Sequence, residues 1–170
     1  MNPSGELLFA VTLFAATGCG LMAGIFFAFS NFVMKALLQQ PPESGARAMQ
    51  AINVLILNPV FFVVFMGTAL ATAFIAFVSV SRLSQGGALL LLASALYLLG
   101  SFGVTILFNV PLNNRLAGHG EGTPEAARFW PDYAARWLKW NHVRTLASLA
   151  ATVLLAWAMW RHDLQLGGAL

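Results

Sequence analysis

The stretch WLKWNHVRT, residues Trp137 to Thr145, sits immediately before an apolar run that ends at Trp160. It sets a guanidinium, an imidazole, an amide and two indoles where the chain turns apolar. Polar groups in such a place are costly unless they satisfy one another or do chemistry. A guanidinium stabilises an oxyanion. An imidazole titrates nearer neutral pH than other side chains and suits proton transfer. Trp137, Asn141, Arg144 and Ser148 follow one another by four, three and four residues, so they form one stripe of a helix. His142 adjoins Asn141 in sequence, so it points about 100° away and faces headgroups or another helix.

The elements that must position these groups are membrane helices. The chain has 170 residues, 59% hydrophobic and 9% charged, against about 25% charged in soluble domains. No charged residue interrupts Leu7–Met34, Ala51–Val80, Gly86–Asn114 or Thr145–Trp160. A span needs roughly 20 mostly apolar residues. The expected architecture is therefore all-α: one domain, an up-down-up-down four-helix membrane bundle, with helices near 6–38, 44–81, 87–110 and 131–162. The first block is too long for a signal h-region and lacks a basic flank, so it is expected to stay as a span.

The net charge of +3 does not mark a nucleic-acid binder, because the basic residues follow the connections rather than forming a run. Lys35, Arg47, Arg115, Arg128, Arg136, Lys139 and Arg144 fall on one side of the membrane, Arg82 and Arg161 on the other. The positive-inside rule then puts both termini outside the cytoplasm, in a plasma or inner membrane. Cys19 is expected to be a small buried hydrophobe, and no Cys/His spacing suggests a metal.

Local signals set the expected boundaries. Pro41–Pro42 should break helix 1, Ser44 should cap helix 2, and Pro59 should kink it and free the Leu55 carbonyl. Pro111 should end helix 3 at Asn109–Val110. Thr123-Pro124-Glu125 should start a short amphipathic helix, with a restart at Pro131–Asp132 into helix 4. Ala16, Gly20, Gly24 and Ala28 form a small-residue stripe that serves the bundle or a homo-oligomer.

With this topology the polar residues gather at one end. Helix 1 brings Ser30 and Asn31, with Asn31 extending the small-residue stripe into the bundle. Helix 2 brings Gln50, Asn53 and Asn58, helix 3 brings Asn109 and Asn113, and helix 4 brings Trp137, Trp140, Asn141, His142 and Arg144. Taken singly, each has a plain structural explanation: amides as interhelical glue at about 0.6 kcal/mol, Arg144 snorkelling, tryptophans in an interfacial belt. Taken together they read as a polar cup half-sunk in the bilayer.

Four segments, FAFSNFVMKAL (Phe27–Leu37), AMQAINVLILNPVF (Ala48–Phe61), NVPLNNRL (Asn109–Leu116) and WNHVRT (Trp140–Thr145), resemble the anthrone oxygenase-like family of small four-helix membrane proteins. The resemblance implies a cofactor-independent oxygenase: no flavin, haem or metal, and a hydrophobic aromatic of anthrone or quinol type oxidised by dioxygen. On that reading His142 is the base, with His119 as alternative, and Arg144 and Asn141 stabilise the anionic oxygen. Asn31, Gln50, Asn53, Asn58, Asn109 and Asn113 then contact the substrate, and Trp137 and Trp140 stack on it. The alternative is a non-catalytic membrane protein that binds a small lipophile or serves an assembly. The discriminating feature is whether Asn53, Asn141 and Arg144 converge on an open pocket or saturate one another.

Overall fold

The computed structural model describes residues 3–81, 83 and 87–167. Arg82, one of the two basic residues placed on the outer side, and Gly86, the first residue of the third charge-free block, lie outside the described residues. The helices are α1 (Pro3–Ala28), α2 (Met34–Leu38), α3 (Pro42–Leu55), α4 (Pro59–Val80), α5 (Gly87–Ala95), α6 (Val110–Gly118) and α7 (Pro124–Gly167). π-helical turns at Phe29–Val33, Leu96–Gly103 and Thr105–Asn109 join α1 to α2 and α5 towards α6. Four stretches are long and apolar enough to cross a membrane: Gly5–Leu38, Pro59–Val80, Gly87–Gly118 and Pro124–Arg161. They fit a multi-pass membrane protein, and the exterior agrees, with Val60, Phe77 and Leu99 all more than two-thirds exposed. The packing forms a ring, α1 against α4, α4 against α5, α5 against α7 and α7 against α1.

Several boundaries differ from those expected of the sequence, each for a local reason. The second helix is two helices. A residue before proline is driven out of the α region, and Asn58 is extended at φ −110°, ψ 161°. Its side chain then repairs both ends of the break. Asn58 Nδ2 donates to the Leu55 carbonyl at 3.0 Å, and its Oδ1 accepts from the Phe61 N–H at 3.0 Å. Ser44 is not the cap of α3. The helix starts at Pro42, and the Ser44 N–H already bonds the Pro41 carbonyl at 2.8 Å.

Pro111 does not end the third span. The Val110 N–H reaches five residues back to the Thr105 carbonyl, and this wide turn brings Pro111 in at the start of α6, where no donor is needed. Pro131 does not restart the fourth helix either. Its ring lies on an exposed face and α7 runs through it as one helix, so the expected short amphipathic segment is simply its first turns. Thr123 does cap α7, accepting from the Ala126 N–H at 3.2 Å.

The core has two parts. One is apolar, built around Ala15, Cys19, Met22, Phe65, Ile75, Ala93, Tyr97 and Leu155. The other is aromatic, built around Met34, Met49, Leu116, Trp130, Tyr133 and Trp137. Close approach in the first part falls at Gly18, where a Cβ would collide with the Thr68 hydroxyl. It does not follow the expected four-residue stripe: Gly24 is exposed, with nothing within 4 Å of a Cβ added there. A strict four-residue spacing drifts around a 3.6-residue helix.

Candidate functional site

A cavity of about 460 Å³ opens between the end of α1, α3, the Thr105–Asn109 turn, α6 and α7. Its wall is mostly apolar: Ile25, Phe26, Phe29, Met49, Ile52, Phe61 and Trp137. Its polar residues are Gln50, Asn53, Thr105, Asn109, Asn113, Asn114, Glu121 and Arg144.

Arg144 is the central feature. It is 5% exposed, yet among the described residues no carboxylate lies within ion-pairing distance. The two ion pairs found there, Arg128–Glu125 and Arg136–Asp132, are on the exposed surface. One Arg144 terminal nitrogen donates to Asn141 Oδ1 at 2.8 Å and the other to Thr105 Oγ1 at 3.3 Å. Its guanidinium carbon lies 4.3 Å from the Phe26 ring centroid and 4.9 Å from that of Trp137. The cation is thus held by two rings and two neutral groups, and its Nε has no partner. A buried ion without a counter-charge carries a desolvation cost of several kcal/mol.

Asn141 fixes the guanidinium. It is fully buried, and its Nδ2 donates to the Phe26 carbonyl at 2.7 Å and to Ser30 Oγ at 2.8 Å. Its amide is therefore occupied in joining α7 to the end of α1. On the same helix, Tyr133 is fully buried and donates to Asn113 Oδ1 at 2.9 Å, while Asn53 Nδ2 donates to the tyrosine oxygen at 3.4 Å. Asn109 donates to the Trp137 carbonyl at 3.2 Å. Gln50 Nε2 donates to the Leu116 and Gly120 carbonyls, both at 2.9 Å. Four cavity-lining residues, Gln50, Asn109, Trp137 and Arg144, each keep one buried polar atom with no partner.

Of the residues singled out in the sequence, Gln50, Asn53, Asn109, Asn113, Trp137 and Arg144 meet on this cavity. Asn141 stands directly behind it. Five others are elsewhere. His142 is exposed on the outer face of α7 and does not line the cavity. Asn31 is exposed, on the outward face it shares with Gly24 and Phe27, seven and four residues before it. Asn58 is used as the cap of α4. Trp140 stacks on Phe108 at 3.7 Å between centroids, outside the cavity wall. His119 packs 4.9 Å from the Phe129 ring and does not line the cavity either. Tyr133, Thr105 and Glu121 were not singled out. Tyr133 precedes Trp137 by four residues and so extends the stripe along α7.

The fold and the cavity define a small multi-pass helical membrane protein with an internal, cation-lined chamber. A family model for anthrone oxygenase matches residues 61–154, more than half of the chain, and the chain belongs to that family. The matched segment contains Thr105, Asn109, Asn113, Glu121, Tyr133, Trp137, Asn141 and Arg144, whereas Gln50 and Asn53 precede it. Comparison with curated proteins and with solved structures gives no match.

Proposed function

We propose that this protein oxidises a hydrophobic anthrone- or quinol-type aromatic with dioxygen inside the cavity, without a redox cofactor. The observation that carries the reading is Arg144: a buried cation with no ion-pair partner among the described residues, on the wall of a mostly apolar chamber. An electron-rich aromatic that becomes anionic on reaction would supply the missing charge. The substrate's carbonyl oxygen takes the place beside Arg144, and its flat ring lies among Phe26, Phe29 and Trp137. Loss of a proton from the methylene carbon sends the electron pair to that oxygen, and Arg144 stabilises the oxyanion more than the neutral ketone. The anion gives one electron to dioxygen. The carbon radical and superoxide combine, and the resulting peroxide loses water to leave a carbonyl. The balance is CH2 + O2 → C=O + H2O.

Val54, Leu57 and Val110 line the cavity and are also exposed on the apolar exterior, which suits loading from the bilayer beside the Ile56–Asn58 break. The orientation that goes with this reading puts the chamber towards the cytoplasm.

The test is oxygen uptake and quinone formation by purified protein with anthrone, corrected for spontaneous oxidation. Arg144→Ala should lower the protein-dependent rate by about 10²–10³, the usual cost of losing one oxyanion donor. One observation favours a second, non-catalytic reading. The Ser30–Asn141–Arg144–Thr105 chain joins the first, third and fourth spans, as an assembly clamp would. Saturable binding of anthraquinone with no protein-dependent oxygen uptake would select that reading.

A further inference from the structure

The oxidation proposed above needs a group to take the methylene proton, and both histidines considered from the sequence lie off the cavity wall. We propose that Glu121 is that base. The inference rests on the oxygenase reading and adds a residue to it.

Two titratable side chains line the cavity among the described residues, Arg144 and Glu121. Arg144 is the cation, so Glu121 is the proton acceptor available there. Tyr133, the nearest other hydroxyl of an acidic type, already donates its proton to Asn113.

The loop that carries Glu121 is built rather than slack. Gly120 and Gly122, on either side of it, have φ of +81° and +63°, where L side chains are strained. A Cβ on Gly122 would collide with the Arg47 guanidinium, which lies against it. The buried amide of Gln50 holds the Gly120 carbonyl at 2.9 Å and the Leu116 carbonyl at 2.9 Å. Thr123 Oγ1 closes the turn on the His119 carbonyl at 2.5 Å. Gln50 was expected to meet the substrate. Its donors are instead engaged in fixing the loop, so it is a positioning residue for Glu121.

The placement matches the chemistry of the ligand. In an anthrone the carbonyl and the methylene lie across the central ring from one another. A ligand that gives its oxygen to the buried Arg144 therefore turns its methylene away, towards the exposed side where Glu121 stands. The C–H bond breaks heterolytically. The proton goes to a Glu121 carboxylate oxygen, and the electron pair goes through the ring to the oxygen beside Arg144. Because Glu121 is also exposed to water, it can release the proton before the next turnover.

The experiment separates proton removal from oxygen chemistry. Full-length protein in detergent or nanodiscs is incubated with anthrone in D2O without oxygen, and methylene deuteration is followed by mass spectrometry against a protein-free blank. Oxygen uptake is measured in parallel. Glu121→Gln should lower protein-dependent exchange and turnover together by about 10²-fold or more, the usual contribution of a positioned base. Glu121→Asp should keep part of both. Anthraquinone binding, read by tryptophan quenching, should match wild type in Glu121→Gln, which shows that the chamber is intact. Exchange by Glu121→Gln at the wild-type rate would overturn the assignment. So would wild-type oxygen uptake without any protein-dependent exchange, and the oxygenase reading would survive either result. No uptake and no exchange by wild type would remove both.

Discussion

The two halves of this bundle handle polar side chains in opposite ways. In the apolar half the Tyr97 hydroxyl crosses to the Phe65 carbonyl at 3.2 Å, but the small hydroxyls that find a partner turn back on their own helix: Thr12 to the Leu8 carbonyl at 2.7 Å, Thr72 to Thr68 at 2.8 Å, Thr152 to Ser148 at 2.9 Å. Each is satisfied without a neighbour, so the helices can close on one another around Ala15, Cys19 and Ile75. In the other half the polar groups are mainly amides, and they reach across. Asn141 bonds the Phe26 carbonyl, Asn109 the Trp137 carbonyl, and Gln50 two carbonyls 66 and 70 residues away. Backbone irregularity does not separate the halves, since π turns at Phe29–Val33 and Thr105–Asn109 and the break before Pro59 flank the chamber while the π stretch Leu96–Gly103 carries Tyr97 of the apolar core. Non-helical backbone at membrane depth is tolerated where protein or a cavity receives it. The contrast identifies cross-helix amides as the struts of a chamber, whereas in-helix hydroxyl bonds occur in both halves, at Thr105 and Thr145 beside the chamber as well.

The largest effect that would test this contrast lies in the apolar half. Gly18→Leu forces a side chain into Thr68 where α1 meets α4. Overpacking costs about 1–3 kcal/mol, and the upper end is expected because Thr68 is fully buried and short. Gly24→Leu, on the same helix but with nothing near it, should leave the thermal unfolding midpoint in detergent unchanged. A matched loss at both positions would mean that the small-residue stripe packs against a second copy, and the halves would then differ in partner rather than in chemistry.

Next is the strut itself. Asn141→Ala strands the Arg144 terminal nitrogen and the Phe26 carbonyl. Leaving buried groups unpaired costs about 1–3 kcal/mol, and a middle value is expected because Ser30 and Thr105 can re-form part of the network. Activity should fall more than stability does, since the guanidinium would no longer be aimed. Anthraquinone affinity and oxygen uptake, measured beside the unfolding midpoint, read the two losses separately. Equal behaviour of Asn141→Ala and Thr72→Ala in all three would erase the distinction between strut and packing hydroxyl.

How much of this was legible in the sequence follows from the same physics. Charge-free length announced the four spans, and helical spacing tied Trp137, Asn141 and Arg144 to one face. Spacing failed in two ways. The four-residue stripe used to place Asn31 had already drifted outward at Gly24, and the wide turn before Pro111 carried the third span on to Gly118, bringing Asn113 and Asn114 to the cavity. Asn58 was visible as a polar residue before a proline, but its use as a cap depends on the break it repairs. Tyr133 was within reach, four residues before Trp137. Glu121 was not, because a loop residue between two glycines belongs to no period, and the contacts that fix its loop, from Gln50, Arg47 and Thr123, come from distant positions or from the turn itself.

The smallest expected effect is the most pointed. His142 has the side chain best suited to proton transfer in the stretch that first drew attention, and it adjoins the Asn141 strut. Yet neighbours on a helix diverge by about 100°, and here that angle separates a buried wall from the outer surface. His142→Ala should therefore leave anthrone-dependent oxygen uptake within about twofold of wild type and stability within about 0.5 kcal/mol, as for surface substitutions generally. A loss of tenfold or more would require the imidazole to reach the chamber, which would need α7 to rotate and carry Arg144 off the wall. The variant thus reads the facing of α7 as well as the identity of the base. Unchanged turnover is what a chamber served by Arg144 from within and Glu121 at its exposed side demands.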